Sequence, residues 1–159
     1  MLSVPQVRLA LPSDAQGIAV FSRDYIEHGL GWSWHASRIL RAIQDTATNV
    51  ATVHEYGRIA GFGIMQYGDT TAHLCLLGVQ PGLQRRGVGG ALLSWLELSA
   101  VTAGIECVKV EARVDNPRGI AFYEKRGYRI RARVPGYYSG VIDAVRLEKG
   151  LVVEPGAGL

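Results

Sequence analysis

Gln84-Arg85-Arg86-Gly87-Val88-Gly89-Gly90 follows an apolar run ending at Val79 and opens an apolar helical pattern that begins near Val88. A strand, a glycine-rich turn and a helix start, in that order, make a phosphate cradle. Glycines let the backbone approach an anion closely, and the first N–H groups of a helix have no partner inside it. The positive end of the helix dipole adds to them, and Arg85 and Arg86 bring further charge. The segment points to a phosphorylated cofactor.

Two better-known cradles fit poorly. A nucleoside-triphosphate loop needs Gly-Lys-Ser or Gly-Lys-Thr after its glycines. All three lysines, Lys109, Lys125 and Lys149, lie elsewhere. A dinucleotide fold needs G-x-G-x-x-G, and here Ala91-Leu92-Leu93 follow Gly90 where the third glycine should fall. An ordinary Gly- and Arg-rich strand–helix turn is the plain alternative.

A second segment decides among these. Glu111-Ala-Arg-Val-Asp-Asn116 leads into Pro117-Arg-Gly-Ile-Ala-Phe-Tyr123, and Gly127-Tyr128 follow. The pattern is a strand, an Asn, a helix with a Tyr, then Gly and an aromatic. Together with Gln84-x-x-Gly87-x-Gly89 it resembles the GNAT superfamily of acyl-CoA-dependent N-acetyltransferases, from about Val7 to about Lys149. The motifs come closest to the ribosomal-protein alanine N-acetyltransferases. The resemblance is weakest in the first 50 residues, where the acceptor would be read.

Working outward, Val7–Leu9 reads as a short strand, and Ser13 with Gln16 as a capping box for a helix carrying Ile18, Phe21 and Tyr25. That helix should end near Gly29, and Ile39, Leu40 and Ile43 mark a second. Asn49–Tyr56, Arg58–Tyr67 and Ala72–Val79 read as strands, with Gly78 marking a bulge or a close backbone approach. The third helix runs from about Gly87 to Ala103, with Val88, Leu92, Trp95 and Ser99 on one side. Cys107–Val114 alternates, Val108, Val110, Ala112 and Val114 against Lys109, Glu111, Arg113 and Asp115. A fourth helix starts near Asn116 and stops at Gly127, and Tyr128–Val134 with Asp143–Glu148 read as a closing hairpin.

This order, β-α-α-β-β-β-α-β-α-β-β, is what the resemblance implies. The implied fold class is α/β (α+β): a mixed, mostly antiparallel central sheet of about seven strands flanked by about four helices. One domain is expected over residues 1–159, with the Gly- and Pro-rich tail 152–159 frayed.

Composition is ordinary for a globular chain, 48% hydrophobic and 19% charged. No apolar run reaches membrane-span length and the start lacks a signal-peptide pattern, so a cytoplasmic protein is expected. Cys75 and Cys107 read as buried apolar residues. His28, His35, His54 and His73 have no ligand spacing, so no metal is expected. The net charge is +3, with 14 Arg among the 17 basic residues. Arg129, Arg131 and Arg133 should fall on one face of a strand and read as a solvated face, against a basic strip for a CoA phosphate, an acidic substrate or ribosomal RNA; no nucleic-acid-binding motif is present and such binding is not expected.

The resemblance implies acetyl-CoA as acetyl donor and a wedge between two strands near Gly78. Leu77, Gly78 and Val79 would pair with the pantetheine arm. Gln84, Arg85, Arg86, Gly87, Val88, Gly89 and Gly90 would hold the pyrophosphate. Asn116 would cap the fourth helix and, with Tyr123, contact the cofactor. Tyr123 is the candidate general acid for the departing thiolate, against a plain packing role beside Phe122. Glu111 is the candidate base, directly or through water, against a surface carboxylate paired with Lys109 or Arg113. Gly29–Trp34 and Tyr137–Tyr138 are the candidate acceptor walls. In the run Val134–Ala144, Ile142 stands where the alanine acetyltransferases tend to carry Glu, and this leaves the acceptor open. A peptide N-terminus, a small-molecule amine and a non-catalytic acyl-CoA sensor are the competing readings, and a homodimer is left open.

Overall fold

The computed structural model describes residues 4–83 and 86–151. In chain order the elements are β1 (Val7–Leu9), α1 (Ala15–Phe21), α2 (Ala36–Gln44), β2 (Thr48–Glu55), β3 (Arg58–Tyr67) and β4 (Thr71–Val79). Then follow α3 (Val88–Thr102), β5 (Cys107–Arg113), α4 (Pro117–Lys125), β6 (Arg129–Tyr138) and β7 (Ile142–Gly150). The element order is the expected one, and the hydrogen-bonded strand order is β1-β2-β3-β4-β5-β7-β6. The pairings β1–β2, β2–β3, β5–β7 and β6–β7 are antiparallel, and β4–β5 is parallel. That parallel ladder runs from Thr71↔Cys107 to Leu74↔Val110.

The chain divides into two compact units, and β4 contributes to both. The first takes in the chain up to Gln66 together with Cys75–Leu98. Its core gathers Ile18, Ala19 and Phe21 of α1, Trp34, Ile39 of α2, Val50 of β2, and Phe62 and Ile64 of β3. Phe21 meets Phe62 edge to face at 5.4 Å, a favoured aromatic geometry. Helix α3 buries Val88, Leu92, Leu93 and Leu96, whereas Trp95 is only half-buried. It lies so close to β3 that a Cβ on Gly61 would stand 2.8 Å from Val88 Cγ1 and 2.9 Å from the Gly78 carbonyl. Gly78 itself is a close approach, since a Cβ there would meet Phe21 Cε1 and Ile26 Cδ1 at 2.9 Å.

The entry into α1 differs from the expected Ser13–Gln16 capping box. Pro12–Asp14 forms a 3₁₀ turn, and the Asp14 carboxylate, not Ser13, accepts from the Leu11 N–H at 2.8 Å. The exit is also unusual. Ser22–Ile26 widens into a π turn, closed by the Glu27 N–H donating to the Ser22 carbonyl at 2.7 Å.

The second unit holds Tyr67–Leu74 and the chain from Ser99 onward. Its core is Val108, Val110 and Ala112 of β5, Ala144 and Leu147 of β7, and Tyr123 and Tyr128. Asn116 caps α4 by accepting from the Gly119 N–H at 3.1 Å, and Gly127 ends it at φ +94°. The strand β6 stands at the sheet edge, where Pro135 costs no ladder bond. A one-residue bulge at Arg131 breaks the expected basic face. Arg129 pairs with Glu148 and Arg133 with Val145, positions that alternate across the sheet. Farther along, Pro135, Gly136 and Tyr137 stand opposite Asp143 alone, between the pairs Val134↔Ala144 and Tyr138↔Ile142. Asp143 pins this wide bulge. It accepts from the Gly136 N–H at 2.9 Å and from Arg133 Nη2 at 2.9 Å.

Candidate active site

In the first unit, the end of β4 leads into the cradle. The Gln80 N–H donates to the Ala60 carbonyl at 2.8 Å, and the Arg86 N–H to the Leu83 carbonyl at 3.2 Å. Gly87 follows at φ +80°, a conformation that favours glycine. The first helical bond of α3 runs from the Ala91 N–H to the Gly87 carbonyl at 3.0 Å. The N–H groups of Val88, Gly89 and Gly90 precede it, as donors do in the first turn of any helix. Among the described residues, a Cβ on Gly87 would meet nothing within 4 Å, so the turn has room for a phosphate against its backbone. Arg86 is exposed, its Nη1 4.0 Å from Glu55 Oε2. Gln84 and Arg85 lie outside the described residues. Leu77, Gly78 and Val79 occupy the last positions of β4.

In the second unit, Glu111 is the centre of a polar cluster. The ladder sets Arg146 directly across from it on β7 and places His73 diagonally on β4, opposite Lys109. His73 Nε2 lies 2.6 Å from Glu111 Oε1, the Tyr137 hydroxyl donates to the same oxygen at 2.8 Å, and Arg146 Nε donates to Oε2 at 3.2 Å. The Glu111 side chain is only 5% exposed. Burial pushes its pKa upward, but the hydrogen bonds from His73 and Tyr137, the His73 charge and the Arg146 bond outweigh it and hold the carboxyl at about 2. Lys109 and Arg113, the partners considered from sequence, turn elsewhere. Lys109 Nζ is 4.0 Å from Glu148, and Arg113 Nε is 2.9 Å from Asp115.

Tyr123 is buried on α4, with its ring edge-on to Phe122 at 5.2 Å and Tyr128 at 5.5 Å. Burial first, and the neighbouring Tyr138 second, hold its phenol proton on well above the ordinary tyrosine range. Tyr138 is raised in turn by burial and then by the Glu111 charge. Asn116, at the start of α4, is exposed beyond its capping bond.

The candidate acceptor walls divide. Tyr137 joins the Glu111 cluster. In the Gly29–Trp34 loop, Trp34 is 8% exposed and belongs to the core, with the Arg38 guanidinium 3.6 Å from its ring centroid. A residue not singled out from sequence organises that loop. Buried Glu27 accepts from Ser22 Oγ at 2.8 Å, from Ser33 N–H at 2.8 Å, from Ser33 Oγ at 2.7 Å and from Trp34 N–H at 3.3 Å. Burial raises its carboxyl, and these donors lower it further, to a value below the usual one. His73 and Arg146 also escaped sequence reasoning; only the strand register brings them to Glu111.

Among the described residues no group of His, Cys, Asp or Glu is placed to hold a metal ion, and no helix is long and apolar enough to cross a membrane. Cys75 and Cys107, half-buried on β4 and β5, form no disulfide among the described residues.

The sequence profile of the acetyltransferase (GNAT) family matches residues 18–128. A [ribosomal protein bS18]-alanine N-acetyltransferase of Salmonella typhimurium is 36% identical over 81 residues, 51% of this chain and 55% of that protein. An uncharacterized N-acetyltransferase of Methanocaldococcus jannaschii is 34% identical over 96 residues, 58% of this chain and 60% of that protein. The chain thus spans a little over half the length of these curated relatives. The crystal structure of Ard1 from Thermoplasma volcanium superposes with a TM-score of 0.80 at 26% identity, over 94% of this chain and 99% of that one. With a profile match that runs from α1 past α4, the chain belongs to the acetyltransferase (GNAT) family.

Proposed function

We propose that the protein is an acetyl-CoA-dependent N-acetyltransferase whose acceptor is the α-amine of a peptide or protein N-terminus, attacking directly in a ternary complex. Acetyl-CoA supplies an activated acetyl thioester. The backbone from Arg86 to Gly90, with Gln84 and Arg85 before it, would hold its pyrophosphate, and Leu77, Gly78 and Val79 its pantetheine arm. Asn116 would contribute beside the cap it makes.

The observation that carries the reading is Tyr123, a buried phenol whose proton is held on by its surroundings. It is neutral at any working pH and can donate to the departing thiolate. Glu111 takes the other role. Fully ionised and bonded to three donors, it is a weak base, better suited to orienting the amine or a water than to stripping a proton from an ammonium of high pKa. This favours an acceptor that is easily deprotonated. At neutral pH a peptide α-amine, with a pKa of about 7.7–8.0, costs about 1 kcal/mol to neutralise, whereas a lysine amine costs about 4–5 kcal/mol. The alanine N-acetyltransferase activity named for the Salmonella relative points the same way. We place the protein in the cytoplasm, where reduced cysteines are the rule.

The test is a thiol-release assay over peptides with free N-termini, polyamines, aminoglycosides and lysine side chains. Preferred acetylation of peptide N-termini is expected. Preference for a small high-pKa amine would replace this reading with a small-molecule acetyltransferase. Binding of acetyl-CoA with no transfer to any amine would make the protein a sensor.

A further inference from the structure

A cavity of about 290 Å³ opens in the second unit, lined by His73, Lys109, Glu111, Tyr137 and Arg146. Its charges are layered. The Glu111 side chain is 5% exposed at the floor, while those of His73, Lys109 and Arg146 are 40%, 44% and 38% exposed at the rim. One further carboxylate approaches. Glu148 is the ladder partner of Lys109, with its oxygens 4.0 Å from Lys109 Nζ and 3.9 Å from Arg131 Nε. Both separations exceed hydrogen-bond length, and the one carboxylate is divided between two cations. Lys109 and Arg146 line the cavity against Glu111, and Arg131 stands beside it, facing Glu148. The rim therefore keeps a positive field above a floor carboxylate that holds three donors and has acceptor capacity left on Oε2.

Resting on the transferase reading above, we propose that this cavity selects acceptors by charge: the preferred substrate is a peptide with Asp or Glu within its first two residues. The spacing fits. Glu111 and Lys109 are two residues apart on one face of β5, a separation of about 7 Å. With the α-amine held at Glu111, an acidic side chain on the first or second residue reaches the Lys109–His73 rim, since successive Cα atoms lie about 3.8 Å apart. The cavity sits at the small end of ligand-pocket volumes, suited to one side chain rather than to a whole small-molecule substrate. A basic side chain at the Lys109–His73 rim would meet like charge.

The experiment uses the full chain with acetyl-CoA and peptide pairs differing only in Asp against Asn, or Glu against Gln, at positions one and two. The acidic member should show a kcat/KM about two- to fivefold higher at low ionic strength, as expected for partly exposed charge pairs. The ratio should shrink in about 0.5 M salt. It should fall towards one in Lys109→Ala, recover in Lys109→Arg and invert in Lys109→Glu. A wild-type ratio at or below one, or a ratio untouched by Lys109→Ala, overturns the inference. Calorimetry with CoA and the N-acetylated peptides separates this from the transferase reading. Tighter binding of the acidic peptide without any turnover would sustain the cavity's preference while the transferase reading falls. Equal binding of the two peptides would sink the cavity's role.

Discussion

His73 and Glu111 are joined at 2.6 Å, diagonally across a parallel ladder that runs only from Thr71↔Cys107 to Leu74↔Val110. The contact depends on the Glu111 carboxylate being ionised, and this couples it to the stability of the second unit. The carboxyl falls from 4.5 to about 2 on folding. A depressed carboxylate stabilises fully above its unfolded value and loses that contribution as pH falls through the folded one. About 3 kcal/mol should therefore disappear between roughly pH 5 and pH 2. Urea titrations at pH 7, 4 and 3 should show this loss in the wild type and a flatter profile in Glu111→Gln.

The same low pKa fixes what the rate profile should look like. Glu111 stays ionised from pH 5 upward, so the acid limb of kcat/KM for a peptide should track the acceptor amine, near 8. Glu111→Gln should lower the rate without moving that limb. A limb that vanishes in Glu111→Gln would mean that the carboxylate titrates in the working range.

Tyr123→Phe keeps the ring and its edge contacts with Phe122 and Tyr128 and deletes the donor. Turnover is expected to drop about 10²–10⁴-fold with little change in acetyl-CoA affinity. Single-turnover kinetics under conditions where chemistry limits would expose a packing role if the rate held at the wild-type level.

At Gly87 the obstacle to a side chain is conformational, since the residue sits at φ +80° and an added Cβ meets nothing within 4 Å among the described residues. Gly87→Val should strain the turn and fill the room left for phosphate. Calorimetry should register at least about a tenfold loss of acetyl-CoA affinity. Unchanged affinity would remove the cradle from the cofactor site.

Glu27 carries the loop from Ser22 to Trp34 through donors that are all neutral. In Glu27→Gln the incoming amide NH₂ faces hydroxyl and N–H donors. A loss of about 2–3 kcal/mol is expected in chemical denaturation at pH 7, since bonds to a buried charged group are the strong ones. The wild type should approach the variant as pH falls below the usual carboxylate range, because the Glu27 pKa is depressed.

Much of the fold could be read from local pattern. The alternation of Lys109, Val110, Glu111 and Ala112 declared β5 and its two faces, and Asn116 with Gly127 bracketed α4 almost to the residue. Such signals are written in neighbouring residues. The partners of Glu111 are not. His73 and Arg146 sit 38 and 35 residues away, and only the register of two ladders brings them to it. The exit from α1 was illegible for a related reason. Its π turn closes because Glu27 folds back on Ser22 and is buried there, a tertiary event that helical periodicity does not record. At the start of that helix two local signals competed, and Asp14 displaced Ser13 by reaching the Leu11 N–H.

The wide bulge at Pro135–Tyr137 makes the closing hairpin sensitive to length in whole residues. Two extra residues on β6 preserve parity, so Val134 and Tyr138 keep the same facing on either side of it. Deleting or inserting one residue would reverse that parity and send either Tyr137 or the strand beyond it to the wrong side of the sheet. Glu111 would then lose a donor that no substitution at its own position could restore. Chains that share this hairpin should therefore vary here by pairs of residues, a spacing rule that acts independently of which amino acids fill the positions.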